Sequence, residues 1–116
     1  MLMVDDEPSL LDGFRMAFSR AGRPAVTSES FEDARKQLLE EKFDILVTDV
    51  RLGPFNGLQL AIIARDRDPE IGIIVFSGYD DPVLQAEAAH IDARYLVKPV
   101  TFDRLLDEIE SLKPGR

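Results

Sequence analysis

Short apolar runs alternate with amphipathic stretches of helix length along this chain, and that alternation restricts the fold more than any other feature. Five runs have strand length: Leu2–Asp5, Ala25–Ser28, Asp44–Asp49, Ile71–Ser77 and Arg94–Val97. Between them apolar residues recur at helical spacing, as in Leu10, Leu11, Phe14, Ala17, Phe18 and Ala21. Strands that alternate with helices form parallel sheets, because each crossover returns the chain to the same end of the sheet. Ile45, Leu46 and Val47 are apolar at consecutive positions, as a strand covered on both faces requires. The expected class is α/β. It has one five-stranded parallel sheet with helices on both faces, in a single domain spanning residues 1–116.

Local signals place the helices. Pro8 suits a first helical turn and Gly22 stops that helix. Ser30 caps the second, with Asp33 three residues on and Phe31, Ala34, Leu38 and Leu39 as its buried stripe. The segment Gly53-Pro54-Phe55-Asn56-Gly57 reads as a loop. The third helix then runs from about Leu58 to Arg67, ended by Pro69. Asp81-Pro82 is a cap and first-turn pair for a fourth helix reaching His90. Thr101 caps the fifth, with Phe102, Leu105, Leu106, Ile109 and Leu112 inward and Pro114-Gly115 at its end.

Composition removes several functional classes. A net charge of −8 disfavours direct contact with nucleic acid or an anionic membrane. Without cysteine there is neither a disulfide nor a thiolate metal site. No run has the length of a membrane span and no signal-peptide pattern is visible, so a cytoplasmic location is expected. Only Met1-Leu2-Met3-Val4 precede the first acidic pair, which is short for a central strand. The expectation is that the N-terminus is incomplete and that apolar upstream residues raise the melting temperature. The chain closes soon after the fifth helix, which leaves open whether it acts alone or is one domain of a longer protein.

Each apolar run but the second ends on a group able to handle phosphate or metal. Asp5 and Asp6 follow the first, Asp49 the third, Ser77 the fourth, and Lys98-Pro99 the fifth. In an open parallel sheet these ends share one rim, where ligands bind. Singly, each acid reads as an ordinary turn or capping residue. Together, three carboxylates, a hydroxyl and a lysine suit Mg²⁺ and a phosphoryl group.

These residues also occur in recognisable order: Val4-Asp5-Asp6-Glu7-Pro8, Thr48-Asp49-Val50-Arg51-Leu52 with Gly57 eight residues after Asp49, Phe76-Ser77-Gly78, and Tyr95-Leu96-Val97-Lys98-Pro99. In this order and spacing the chain resembles a response-regulator receiver domain over essentially its full length. The resemblance implies a flavodoxin-like (βα)5 fold with strand order 2-1-3-4-5. It implies that Asp49 is the phosphoacceptor, taking a phosphoryl group from a phosphohistidine or a small phosphodonor. Mg²⁺, with Mn²⁺ as the alternative ion, is then held by Asp5, Asp6, Asp49 and the backbone carbonyl of Arg51. Lys98 and Ser77 contact the phosphoryl oxygens, and Gly78 leaves room beside them. The Lys98-Pro99 peptide is implied to be cis.

Ser77 and Tyr95 are implied to form a switch acting on the fourth helix, fifth strand and fifth helix. The implied partners are a sensor histidine kinase or phosphotransfer protein and an unnamed downstream protein. The domain itself is a monomer or a phosphorylation-dependent homodimer, and a signalling switch rather than an enzyme acting on other molecules.

Departures are few. The family usually has Pro then Gly after the phosphoacceptor, whereas here Gly53 precedes Pro54, and Ile91 stands where a glycine is common. Arg51 and Tyr79 occupy the two variable positions flanking the site, where they either screen the phosphoryl group or lie in solvent. His90, the one histidine, reads as a surface residue. Two alternatives remain: a receiver-fold interaction module that takes no phosphate, and a Mg²⁺-dependent phosphohydrolase acting through an aspartyl phosphate. The second generally uses an acid two residues after its nucleophile, where this chain has Arg51.

Overall fold

The computed structural model describes residues 1–112. In chain order the elements are β1 (Leu2–Val4), α1 (Pro8–Arg20), β2 (Val26–Ser28), α2 (Phe31–Glu40), β3 (Ile45–Asp49), β4 (Arg51–Leu52), β5 (Phe55–Asn56), α3 (Gly57–Arg67), β6 (Gly72–Ser77), α4 (Pro82–His90), β7 (Arg94–Val97) and α5 (Phe102–Leu112). Five strands form a parallel sheet in the order β2-β1-β3-β6-β7. Setting aside the β4–β5 hairpin, this is the expected order 2-1-3-4-5.

Every residue of β1, β3 and β6 is buried, in keeping with a sheet covered on both faces. Because side chains alternate along a strand, each strand feeds two cores. Leu2, Val4, Leu46, Ile73 and Val75 pack with α2, α3 and α4 residues such as Ala34, Leu38, Leu60 and Ala88. Met3, Ile45, Val47, Ile74 and Phe76 pack on the other face with Leu11, Phe18, Leu105 and Ile109 from α1 and α5. Phe18 joins those two helices through an edge-on contact with Phe102, ring centroids 4.8 Å apart.

Caps stand where local chemistry puts them. Ser30 accepts from Asp33 N at 3.1 Å, and Asp81 accepts from Val83 N at 2.9 Å. Gly22 ends α1 at φ +76°, a conformation glycine adopts freely. Leu39, expected in the buried stripe of α2, is instead exposed. The seam follows Phe31, Ala34 and Leu38, and Leu39 sits one residue, about 100°, off that line.

The segment expected as a plain loop after β3 is partly ordered. β4 and β5 pair antiparallel, Arg51 with Asn56 and Leu52 with Phe55, around Gly53 at φ +59°. Phe55 stacks on Phe31 with centroids 4.7 Å apart, which ties this hairpin to the start of α2. The third helix begins at Gly57, and Asn56 caps it by accepting from Leu58 N at 2.8 Å. After α4, Asp92 rather than Ile91 takes the left-handed conformation, at φ 59°. Asp is among the few non-glycine residues that tolerate it. Pro114-Gly115 lies outside the described residues. Among those described, no helix is long and apolar enough to cross a membrane.

One arginine secures the far end of α4. The Arg65 guanidinium donates to four backbone carbonyls: Ile91 at 3.1 Å, Pro69 at 2.9 Å, Ile71 at 2.6 Å and Asp92 at 3.1 Å. Only a planar fork with five donors spans such a set. Arg65→Ala should therefore cost about 2 kcal/mol in urea unfolding, and Arg65→Lys should recover little of it, since an ammonium cannot reach carbonyls on both sides.

Candidate functional site

Strand register assembles the site. β1 and β3 pair Val4 with Thr48, so Asp5 and Asp49 follow side by side at the sheet's carboxyl end. β3 and β6 pair Asp49 with Phe76, one residue short of Ser77, and β6 and β7 pair Ser77 with Val97, one residue short of Lys98. Residues distant in sequence thus reach one rim because the strands are parallel and in register.

The Lys98 ammonium bridges two buried carboxylates, donating to Asp5 Oδ2 at 3.0 Å and Asp49 Oδ2 at 3.1 Å. Asp5 is also fixed by Glu7 N, which donates to its other oxygen at 3.0 Å. Asp6 faces solvent at the same rim, and carboxylate oxygens of Asp5, Asp6 and Asp49 lie within 4.8 Å of one another. One ammonium against three carboxylates leaves two negative charges in a small volume, all on oxygen donors. That set fits a hard divalent cation such as Mg²⁺ or Mn²⁺.

Burial pushes the Asp49 carboxyl above its ordinary value of 3.8; the Lys98 charge opposes that rise and the Asp5 charge adds to it. Burial acts to lower the Lys98 pKa, but its hydrogen bonds and ion pairs with Asp5 and Asp49 outweigh this and hold it above 10.5.

Two residues quoted in the sequence motifs have structural work there that spacing alone did not reveal. Thr48 Oγ1, buried in the apolar strand, donates to the Asp49 backbone carbonyl at 2.9 Å. A Cβ added at Gly57 would collide with that same carbonyl oxygen, so only glycine admits the start of α3 against the Asp49 backbone. A hydroxyl within a continuous apolar run was the visible signal for Thr48. Gly57 carried none beyond its spacing, because the close approach comes from a different element.

The remaining candidates sit around the cluster. Ser77 is buried at the rim, its Oγ accepting from Tyr79 N at 3.1 Å and its carbonyl accepting from Lys98 N at 2.7 Å. The Lys98–Pro99 peptide is cis. Gly78 is exposed, and a Cβ there would meet nothing within 4 Å, so protein packing does not demand the glycine. Arg51 and Tyr79 contact each other, the guanidinium carbon 5.2 Å from the ring centroid. Tyr95 is half-buried, and its hydroxyl donates to the Tyr79 carbonyl at 2.6 Å. His90 is exposed at the end of α4 and takes no part in the cluster.

The model of the family described as the response regulator receiver domain matches residues 1–110. The chain belongs to the response regulator receiver family. Its relatives include the alginate biosynthesis transcriptional regulatory protein AlgB of Pseudomonas aeruginosa. AlgB is 32% identical over 108 residues, which cover 90% of this chain and 24% of AlgB. The receiver thus spans about a quarter of that relative's length.

Two solved structures resemble it closely. One is a response regulator from Burkholderia pseudomallei with a phosphorylated aspartic acid, a calcium ion and citrate. It is 25% identical with TM-score 0.84, covering 95% of this chain and 69% of that one. The other is TrrA of Thermotoga maritima in complex with Mg²⁺ and BeF. It is 26% identical with TM-score 0.83, covering 96% of each chain. The fold is accordingly CheY-like, and the chain is a receiver domain of two-component signalling.

The raised Asp49 pKa has a consequence for the metal-free receiver. The native state holds the Asp49 proton more tightly than the unfolded chain does. The stability this represents is present in full below pH 3.8 and is lost as the pH rises through the native pKa. At neutral pH the ionised carboxylate therefore opposes folding. Asp49→Asn should melt higher than the parent at pH 7 without divalent cation, and the difference should close as the pH approaches 3.8. Thermal unfolding followed by circular dichroism across that range checks both statements.

Proposed function

We propose that Asp49 accepts a phosphoryl group from a phosphohistidine, or from a small phosphodonor, in a reaction that needs Mg²⁺ or Mn²⁺. The observation that carries this reading is the meeting of Asp49 with Asp5, Asp6 and Lys98 at one strand-end rim. It is supported by the phosphorylated aspartic acid of the Burkholderia relative and by Mg²⁺ and BeF on TrrA. An Asp49 carboxylate oxygen attacks phosphorus, the new O–P bond forms, and the P–N bond to the donor imidazole breaks.

Asp5, Asp6 and Asp49, with the Arg51 backbone carbonyl, would hold the cation. When bound, the cation neutralises charge on the phosphoryl oxygens. The protein's own part is positioning and charge stabilisation. Lys98, already 3.1 Å from Asp49, supplies a fixed positive charge to a phosphoryl oxygen. Ser77 supplies a hydroxyl donor once it turns from Tyr79 N, and Gly78 leaves that approach unobstructed.

The receiver acts as a switch rather than as an enzyme on other molecules. Movement of Ser77 towards the phosphoryl group, with inward rotation of Tyr95, alters the face formed by α4, β7 and α5. The Tyr95 hydroxyl bond to Tyr79 O is the link that would break. The proposed partners are a histidine kinase or phosphotransfer protein and a downstream protein, in the cytoplasm, with the receiver a monomer or a phosphorylation-dependent homodimer. The proposed domain takes in residues 1–116.

Incubation with acetyl phosphate and Mg²⁺ should add one phosphoryl mass to the intact protein. Asp49→Asn should remove that labelling, and Asp6→Ala or EDTA should suppress it while the fold persists. Labelling of Asp49→Asn equal to that of the parent would sink the assignment.

The Arg51–Tyr79 pair bears on how long the phosphoryl group survives. The two exposed side chains lie against each other on the segments that follow Asp49 and Ser77, and the proposal is that together they restrict an in-line water. Arg51→Ala and Tyr79→Ala should each speed dephosphorylation severalfold, with the double variant little faster than either single one, because each removal dissolves the same contact. Phosphoprotein decay after removal of the donor gives the rates; unchanged decay in both single variants refutes shielding.

A further inference from the structure

The chain has one asparagine, and a glycine follows it: Asn56-Gly57. A glycine in that place leaves its amide nitrogen open to attack on the asparagine side chain, because no Cβ stands in the way. Here the glycine is not free to change, since a Cβ at position 57 would collide with the Asp49 carbonyl. The contact that seats α3 against Asp49 thus imposes a reactive dipeptide on the β4–β5 hairpin, with Asn56 exposed to water and base.

The folded hairpin holds that dipeptide in an unreactive shape. At φ −102° and ψ 121° the Gly57 nitrogen is turned well away from the Asn56 side chain, whereas ring closure needs Cβ and nitrogen on the same side of the Cα–C bond. Gly57 N keeps its proton on Val50 O at 2.6 Å, and Asn56 Oδ1 accepts from Leu58 N at 2.8 Å. What holds this shape is slight. The hairpin has two residue pairs, Arg51 with Asn56 and Leu52 with Phe55, and its anchor on α2 is the stack of Phe55 on Phe31. So short a two-stranded element opens locally without unfolding the sheet.

We propose that Asn56 is a site of spontaneous deamidation, gated by opening of the β4–β5 hairpin, and that its β-linked product unseats α3 from Asp49. In the open state Gly57 N gives its proton to base and attacks the Asn56 Cγ. The new N–Cγ bond closes a succinimide ring, the Cγ–Nδ2 bond breaks, and the amide leaves as ammonia with a proton from solvent. Water then opens the ring. Attack at Cγ gives an ordinary aspartate, which still accepts from Leu58 N and places its charge at a helix N-terminus. Attack at the main-chain carbonyl gives isoaspartate, which adds a methylene to the backbone. The pairing of position 56 with Arg51 and the seat of Gly57 on Asp49 then cannot both persist. None of this depends on phosphoryl transfer.

The test holds the full chain in mildly alkaline buffer and follows its tryptic peptide 52–65, which contains the one asparagine. That peptide should gain about 1 Da as amide becomes carboxylate. The folded chain should react at least about tenfold more slowly than the same peptide made free, since only the open state reacts. Phe55→Ala removes the stack on Phe31 and leaves the dipeptide intact; read against its own free peptide, it should lose severalfold of that protection. Hydrogen exchange of the Gly57 amide in the parent, followed by NMR, measures the same opening without a substitution and should give protection of the same order. The isoaspartate fraction, separated by chromatography, should melt below the parent, whereas Asn56→Asp should not. A folded chain that reacts as fast as the free peptide, or Phe55→Ala protected as well as the parent, would overturn the gating. So would an Asn56 that stays intact in the parent over a course that fully converts Phe55→Ala. An isoaspartate fraction that melts with the parent would overturn the unseating of α3.

Discussion

The position of β3 governs the rest of the molecule. It is hydrogen-bonded on both edges, to β1 and β6, and buried on both faces. A strand so enclosed cannot slip by one residue without exchanging its two apolar sets between the two cores. That requirement holds Asp49 at the carboxyl end, and the same ladder holds Asp5 beside it. The functional rim is thus maintained by apolar packing several residues away, not by interactions among the polar groups themselves.

The ionised Asp49 carboxylate works against the fold. Asp5 and Asp49 are buried carboxylates sharing one ammonium, with Asp6 adding a third charge nearby. Buried ion pairs often contribute little net stability, because desolvation offsets their attraction. Here the charges do not balance even on paper, and burial, with the Asp5 charge adding to it, holds the Asp49 carboxyl above its ordinary value despite the Lys98 charge. A site built only for stability would carry fewer acids. Excess negative charge is what a cation site needs, and it is tolerated because the sheet around it is over-determined.

The β4–β5 hairpin extends the same logic to the loop above the site. Gly57 lets α3 start against the Asp49 carbonyl, Asn56 caps that helix, and Phe55 anchors the hairpin on Phe31. Arg51, two residues from Asp49, consequently projects from a paired segment and meets Tyr79 from the next strand-end loop. Tyr79 in turn accepts from Tyr95. A continuous contact therefore runs from the residue beside the carboxylate to the edge strand β7. At the opposite end Arg65 holds the turn after α4, leaving α4 fixed at its C-terminus and lightly packed along its length.

Much of this was legible in the chain. Alternating apolar runs and amphipathic stretches determined the class, and the polar residues closing those runs determined which groups would share a rim. Both signals are local: strand and helix periodicities are written in nearest neighbours, and the parallel connection follows from them. Caps at Ser30 and Asp81 were equally visible, since a cap needs only its own next turn. Tertiary structure alone decided that Leu39 faces solvent, that the Gly53–Gly57 segment pairs into a hairpin, that Asp92 takes the left-handed turn, and that Arg51 lies on Tyr79. Each of these depends on which surface a different element presents at that point. The one-residue offset that exposes Leu39, and the close approach that forces glycine at position 57, arise only once the helices are seated on the sheet.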